Sequence, residues 1–349
     1  MSTTEEHLAA RPGRPDGSGT LDADRELLRD TLAARWRERR DPMDRICDYA
    51  LIPAGKLLRP LLVLQSARAV GGAGLDPGDG PALAELALAI EYLHVATLVH
   101  DDIIDHDDTR RGRPSVQAAH GVPTAIIVGD GLLLETFAAL AGSRPAGVPG
   151  SAVVAVVEVM AEAGRDLCRG QLLEVEFIGD LSCTAERYLT MAHLKTGVLF
   201  QSACRIGALL GGAPPRWVRA LGEFGANLGA AFQIRDDLLG FDAAATATGK
   251  PRDSDVLNRR PTLPMLLAYQ RADADRRRQL EKIFADPQAR PDAFERVGEI
   301  VAATGALPAA AGYAQQAIDA AKRALRVLPG GESIAVLEGL ADHAAGRLS

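Results

Sequence analysis

Two aspartate-rich stretches, His100-Asp101-Asp102-Ile103-Ile104-Asp105 and Gln233-Ile234-Arg235-Asp236-Asp237, constrain this chain more than any other feature. They stand about 135 residues apart, each inside an apolar run of helix length. Acidic pairs on a helix ordinarily mark a solvated face, yet Leu98-Val99 and Ile103-Ile104 bracket the first pair. Carboxylates buried without compensation are too costly to keep, so a metal or arginines must offset them. The first stretch runs on into Asp107-Asp108-Thr109-Arg110-Arg111-Gly112-Arg113-Pro114, so acids and bases meet at one place. Hard cations with oxygen ligands, together with arginine and lysine donors, suit a diphosphate group.

Composition sets the frame for that site. Aromatics make up only 4% of 349 residues, alanine and leucine abound, and β-branched runs are few, which favours an all-α fold. Without a composition break in the middle, one large domain over residues 21–349 is expected, behind a disordered N-terminal segment at residues 1–20. That polar lead lacks the apolar region of a signal peptide. The most apolar stretch, residues 125–140, carries Asp130 and Glu135. We therefore expect no segment long and apolar enough to span a bilayer, no stable membrane insertion and cytoplasmic residence. A net charge of -7 speaks against a nucleic-acid partner. Cys47, Cys168, Cys183 and Cys204 show no metal-site spacing and read as thiols in a reducing compartment.

Proline and glycine punctuation divides the chain into about 10–14 helices forming one bundle around a central cavity. The longest are placed at residues 81–106, 123–141, 151–178, 184–211, 215–241 and 305–327. In the first of these His94, Asp101 and Asp105 are seven and four residues apart, which puts them on one face at successive turns. Alone, His94 reads more readily as a satisfied core histidine than as a ligand-binding group.

From about Asp41 onward the chain resembles the trans-type isoprenyl diphosphate synthases, the polyprenyl synthetase family that includes farnesyl and geranylgeranyl diphosphate synthases. The resemblance rests on motifs in the family's order: Gly55-Lys56 with Arg59-Pro60, Asp101-Asp102-Ile103-Ile104-Asp105, Arg110-Arg111-Gly112, Gly170-Gln171, Lys195-Thr196-Gly197, Phe232-Gln233-Ile234, Gly249-Lys250-Pro251 and Thr262-Leu263-Pro264. It implies condensation of isopentenyl diphosphate with an allylic diphosphate by metal-assisted ionisation, condensation and proton loss. It also implies a homodimer packed through the central helices.

Breaking an allylic carbon–oxygen bond leaves diphosphate and a carbocation, so positive groups must neutralise the leaving group. The resemblance assigns three Mg²⁺ ions to this task, two at Asp101 and Asp105 and one at Asp236, with Asp102 and Asp237 as further candidate ligands. Arg110, Lys195 and Lys250 join as donors to the same diphosphate, with Arg260 as a helper. Lys56, Arg59, His94 and Arg111 hold the second diphosphate apart from the metals. Thr196 and Gln233 turn oxygen dipoles toward the cation. Ala96 and Thr97, small where bulky residues stop elongation early, imply a product of about C20 or longer, geranylgeranyl diphosphate first, so Ala96→Phe should shorten it.

One departure is Gly240, which stands where the family's second motif carries a third aspartate, a place Asp242 is out of phase to fill. Two alternatives use the same scaffold. A terpene cyclase has no use for a second anion site, against which Lys56, Arg59, His94 and Arg111 argue. A non-catalytic subunit of a heteromeric synthase is suggested only by Gly240.

Overall fold

The computed structural model describes residues 18–38, 41–71, 80–142, 148–241, 254–286 and 292–345. Its helices run in order as α1 (Ser18–Arg35), α2 (Pro42–Leu51), α3 (Leu58–Ala69), α4 (Gly80–Asp105), α5 (Val116–His120), α6 (Val122–Gly142), α7 (Gly150–Glu176) and α8 (Ala185–Ala192). They continue as α9 (Val198–Leu210), α10 (Pro215–Leu239), α11 (Ser254–Leu257), α12 (Leu263–Arg271), α13 (Ala274–Ala285), α14 (Ala293–Ala303), α15 (Ala306–Leu325) and α16 (Glu332–Ala345). The all-α architecture agrees with the sequence reading. Among the described residues, the surplus over the expected helices has two sources. The run at 184–211 is broken by a π-turn, His193–Gly197, and α11 is a single short turn.

Local chemistry sets many of the boundaries. The Asp41 side chain accepts the Asp44 N–H ahead of Pro42, Thr184 caps α8 through Arg187 N, and Asp273 caps α13 through Asp275 N and Arg276 N. Among the described residues the strands form one two-stranded ribbon, β1 (Thr109–Arg110) against β2 (Arg113–Pro114), turned by Gly112 at φ 76°. α1 begins at Ser18, inside the segment expected to be disordered, while residues 1–17 lie outside the described residues.

α4 is apolar around nearly its whole circumference and lies buried from Leu83 to Val99, as such a helix must. One hydrophobic cluster packs α1, α3, α4, α6, α9 and the first half of α10, and a second packs α8, α12, α14 and the start of α15. The end of α10 passes from one cluster to the other, through Ala231 and then Ile234 and Leu238. This seam holds the site.

One expectation is corrected. Among the described residues two helices, α4 and α6, are by length and composition long and apolar enough to cross a membrane. Asp130 and Glu135 are too few to lower the mean hydropathy of α6 below that of a span. α4 is mostly enclosed by protein, whereas α6 leaves Ile126, Ile127, Leu134 and Phe137 exposed.

Candidate active site

Both aspartate stretches open onto one cavity of about 720 Å³, whose wall includes Asp101 and Asp105 from α4 and Asp236 and Asp237 from α10. Spacing explains the first pair, since residues four apart share a helix face. Asp236 is an exposed residue on the cavity lining, yet burial of its carboxyl by the surrounding protein pushes it up to about 6. Burial likewise raises Asp101, against the pull of Lys195. Carboxylates held so call for a cation.

Asp102 and Asp237, the two further candidate ligands, are placed differently from Asp101 and Asp236. Asp102 is off the cavity wall and buried, and Arg110 donates to its Oδ1 from Nη2 and, at 2.9 Å, from Nε. One position along the helix turns it about 100° from Asp101, away from the cavity and toward the ribbon. Asp237 borders the cavity but spends its oxygens on three donors: the Tyr188 hydroxyl, Leu263 N at 3.2 Å and Gln233 Nε2 at 3.1 Å. Burial pushes its carboxyl up to about 7 in spite of them.

The basic residues are arranged in ion pairs. Arg260 grips Asp105 with both terminal nitrogens, Nη1 lying 2.9 Å from Oδ2. Lys195 pairs with Glu174, whose Oε2 also lies 3.9 Å from Arg260 Nε. Glu174 had no place in the sequence reading. Its signal was the Gly170-Gln171 motif one turn earlier. A Cβ at Gly170 would stand 2.5 Å from Lys195 N, so only glycine lets α7 meet the π-turn backbone and bring Glu174 beside Lys195. Lys250 lies outside the described residues.

Four further basic or imidazole residues line the same cavity: Lys56, Arg59, His94 and Arg111, with Lys56 and Arg59 close enough to act on Asp236. Arg59 is half-buried with its guanidinium 4.8 Å over the Phe200 ring, and its buried Nε has no hydrogen-bond partner. Burial lowers it to about 10, so it stays charged. Arg111 donates from Nη1 to the Pro53 carbonyl at 3.0 Å. Burial, then Arg59, Arg111 and Arg110, push His94 well below the usual imidazole range, leaving a neutral ring near pH 7. Buried Glu91 lies close enough for Arg59 and Arg111 to pull against the burial that raises its carboxyl. It too escaped sequence reading, because a glutamate inside an apolar helix carries no motif.

On the same wall, Thr196 Oγ1 donates to Gln233 Oε1 at 2.8 Å. Backbone strain gathers around the same cavity. The non-glycine residues with positive φ among those described are Leu57, His106, Arg111 and Arg259, and they adjoin or are the site residues Lys56, Asp105, Arg111 and Arg260. Neither Ala96 nor Thr97 lines the cavity. Ala96 is buried, the Thr97 hydroxyl bonds the His94 carbonyl at 2.7 Å, and Leu98 lines the cavity one turn before Asp101, with His94 and Glu91 further back along α4.

Among the described residues no three acidic, histidine or cysteine side chains converge on one point as a protein-only metal cage. Separated carboxylates on a wet cavity still fit Mg²⁺, which keeps waters and takes the rest of its oxygens from a phosphate ligand. The site therefore belongs to a helical enzyme that handles diphosphate esters with divalent metal.

The polyprenyl synthetase family model matches residues 40–301. The chain is 36% identical over 296 residues to the geranylfarnesyl diphosphate synthase of Aeropyrum pernix, covering 84% of this chain and 91% of the relative. Among solved structures it resembles the geranylgeranyl pyrophosphate synthetase of Pyrococcus horikoshii, at TM-score 0.83 and 32% identity over 94% of this chain and 97% of that one. It also resembles the polyprenyl synthase of Caulobacter crescentus, complexed with calcium and isoprenyl diphosphate, at TM-score 0.84 and 28% identity over 96% and 98%. The chain belongs to the polyprenyl synthetase family and is a trans-isoprenyl diphosphate synthase. These relatives are synthases, which favours that activity over the cyclase and the non-catalytic subunit.

Proposed function

We propose that the enzyme condenses isopentenyl diphosphate with an allylic diphosphate, drawing on three Mg²⁺ ions, and releases geranylgeranyl diphosphate or a longer product. The observation that carries this reading is the shared wall: Asp101 and Asp105 face the same cavity as Asp236, and Lys56, Arg59, His94 and Arg111 line it with them. Asp101, Asp105 and Asp236 hold the metal, which supplies positive charge against the departing diphosphate. Lys195, Arg260 and Arg110 turn to that diphosphate, and Lys250 belongs with them by its motif. Asp102 is reassigned to holding Arg110, and Asp237 to holding Gln233.

Lys56, Arg59, His94 and Arg111 bind the diphosphate of the isopentenyl substrate, which is not ionised. The neutral His94 ring offers a hydrogen bond without adding charge that would strip the metal from the first site. Thr196 and Gln233 face the allylic carbon, and Leu98 limits chain growth below the aspartates together with the Ala96 and Thr97 turn behind it. The exposed Ile126, Ile127, Leu134 and Phe137 face of α6 suits a homodimer, and such a face is better buried against a second copy than left to water in the cytoplasm.

Incubation with isopentenyl diphosphate, Mg²⁺ and each allylic diphosphate in turn, followed by chromatography of the dephosphorylated products, tests this. Linear alcohols of about C20 or longer are expected. Cyclic hydrocarbons or shorter alcohols alone would refute it.

A further inference from the structure

One set of side chains at the cavity floor does work that neither metal binding nor phosphate binding explains. Tyr188, on α8, is buried at 3% exposure and directs its hydroxyl to Asp237 Oδ2. The other oxygen of Asp237, Oδ1, accepts Gln233 Nε2 at 3.1 Å. Gln233 Oε1 in turn accepts the Thr196 hydroxyl at 2.8 Å. Four side chains from α8, α10 and the π-turn thus form one unbranched chain of hydrogen bonds, anchored by Leu263 N at the start of α12.

The direction of the chain follows from what each group can do. The Tyr188 hydroxyl donates to Asp237 Oδ2, and the Gln233 amide nitrogen, which can only donate, gives its proton to Oδ1. That fixes the Gln233 amide with its nitrogen toward Asp237 and its oxygen toward Thr196. Thr196 has a single hydroxyl proton and gives it to Gln233, so the remaining lone pairs of Thr196 Oγ1 are left as acceptors on the cavity side. An oxygen that presents only lone pairs favours an adjacent carbocation. A hydroxyl free to swing its proton inward does not.

The backbone is built to hold this register. A Cβ on Gly229 would stand 2.6 Å from Gly197 Cα, so α10 and the π-turn touch backbone to backbone. Gln233, one turn on from Gly229, is thereby brought to Thr196, which precedes Gly197.

We propose that Tyr188 is a positioning residue of the condensation. By holding Asp237 it locks the Gln233 amide, and through Gln233 it keeps the Thr196 hydroxyl proton turned away from the reacting allylic carbon. The proposal rests on the reading that Thr196 faces that carbon. Tyr188 borders the same cavity, and its proposed role runs through Asp237 and Gln233 rather than through either substrate.

The test is a double-mutant cycle between Tyr188→Phe and Gln233→Met, the first removing only the hydroxyl and the second removing the link while conserving volume. Steady-state kinetics with both substrates should show Tyr188→Phe lowering kcat about tenfold, with both KM values within about twofold of the unsubstituted enzyme. In the Gln233→Met background the same change should lower kcat by less than about twofold, because the relay is already cut. A purely structural hydrogen bond would lower the melting temperature in both backgrounds and cost the same fold in each. That result, or an effect confined to KM, overturns the proposal. Asp237→Asn is the second arm should Tyr188→Phe fold poorly. It must reproduce the kcat loss and lose it again beside Gln233→Met, and a loss that persists there counts equally against the relay. If the unsubstituted enzyme forms no elongated product, the reading of the site fails. If it does and Tyr188→Phe turns over normally, the relay alone fails.

Discussion

Arg260 holds Asp105 by both terminal nitrogens, with Nη1 2.9 Å from Oδ2, across an interval of 155 residues. The enzyme thus keeps one of its metal-facing carboxylates neutralised by a cation that the allylic diphosphate is expected to claim. In the proposed mechanism, bound diphosphate would draw Arg260 away and free Asp105 for metal.

The first prediction follows from that exchange. Arg260→Gln should tighten Mg²⁺ binding to the substrate-free enzyme several-fold while weakening inorganic diphosphate, both read by calorimetry. Weaker metal binding in the variant would show that Arg260 does not compete with the cation.

His94 gives the second. His94→Ala should raise KM for isopentenyl diphosphate about tenfold or more and leave KM for the allylic substrate within about twofold, since Arg59 and Arg111 are the charges that act most strongly on its ring. Equal effects on both substrates would contradict two separate anion sites.

Acidity gives the third. The folded Asp236 carboxyl, pushed up to about 6, binds its proton more tightly than the unfolded one near 3.9. Its stabilising contribution is therefore whole below about pH 4 and is lost as pH rises through about 6. Asp236→Asn should raise the melting temperature of the metal-free protein more at about pH 8 than at about pH 4. A variant less stable at both would show that Asp236 is satisfied without a cation.

Gly240 gives the fourth. Its φ of -55° is ordinary for any residue, and a Cβ there would meet Asp237 O at 3.4 Å, ordinary contact. Gly240→Asp should fold normally, add a carboxylate to the cavity wall and lower the Mg²⁺ concentration for half-maximal turnover several-fold. An unchanged or higher requirement would mean that this position does not reach the metal.

The helices and the convergence of the two acidic stretches were legible in the sequence, because apolar periodicity and punctuation fix helices and buried carboxylates demand company. Which carboxylate faces which partner was not. Asp101 and Asp102 are adjacent in sequence, yet their directions differ by a helical step, and only the ribbon that returns Arg110 decides that Asp102 goes to it. Glu174, Glu91 and Tyr188 act across tertiary contacts that leave no spacing along the chain. Ala96 and Thr97 were read from motif offset alone, and the packing of α4 gives the wall to Leu98.

The central claim is that Asp101 and Asp105 share metal with Asp236 across a bound diphosphate. Counting bound Mn²⁺ by electron paramagnetic resonance, with and without inorganic diphosphate, tests it in the native enzyme and in Asp236→Ala. The account predicts about three ions taken up only with diphosphate, and the loss of at least one of them in the variant. Uptake independent of diphosphate, or an unchanged count in Asp236→Ala, would contradict it.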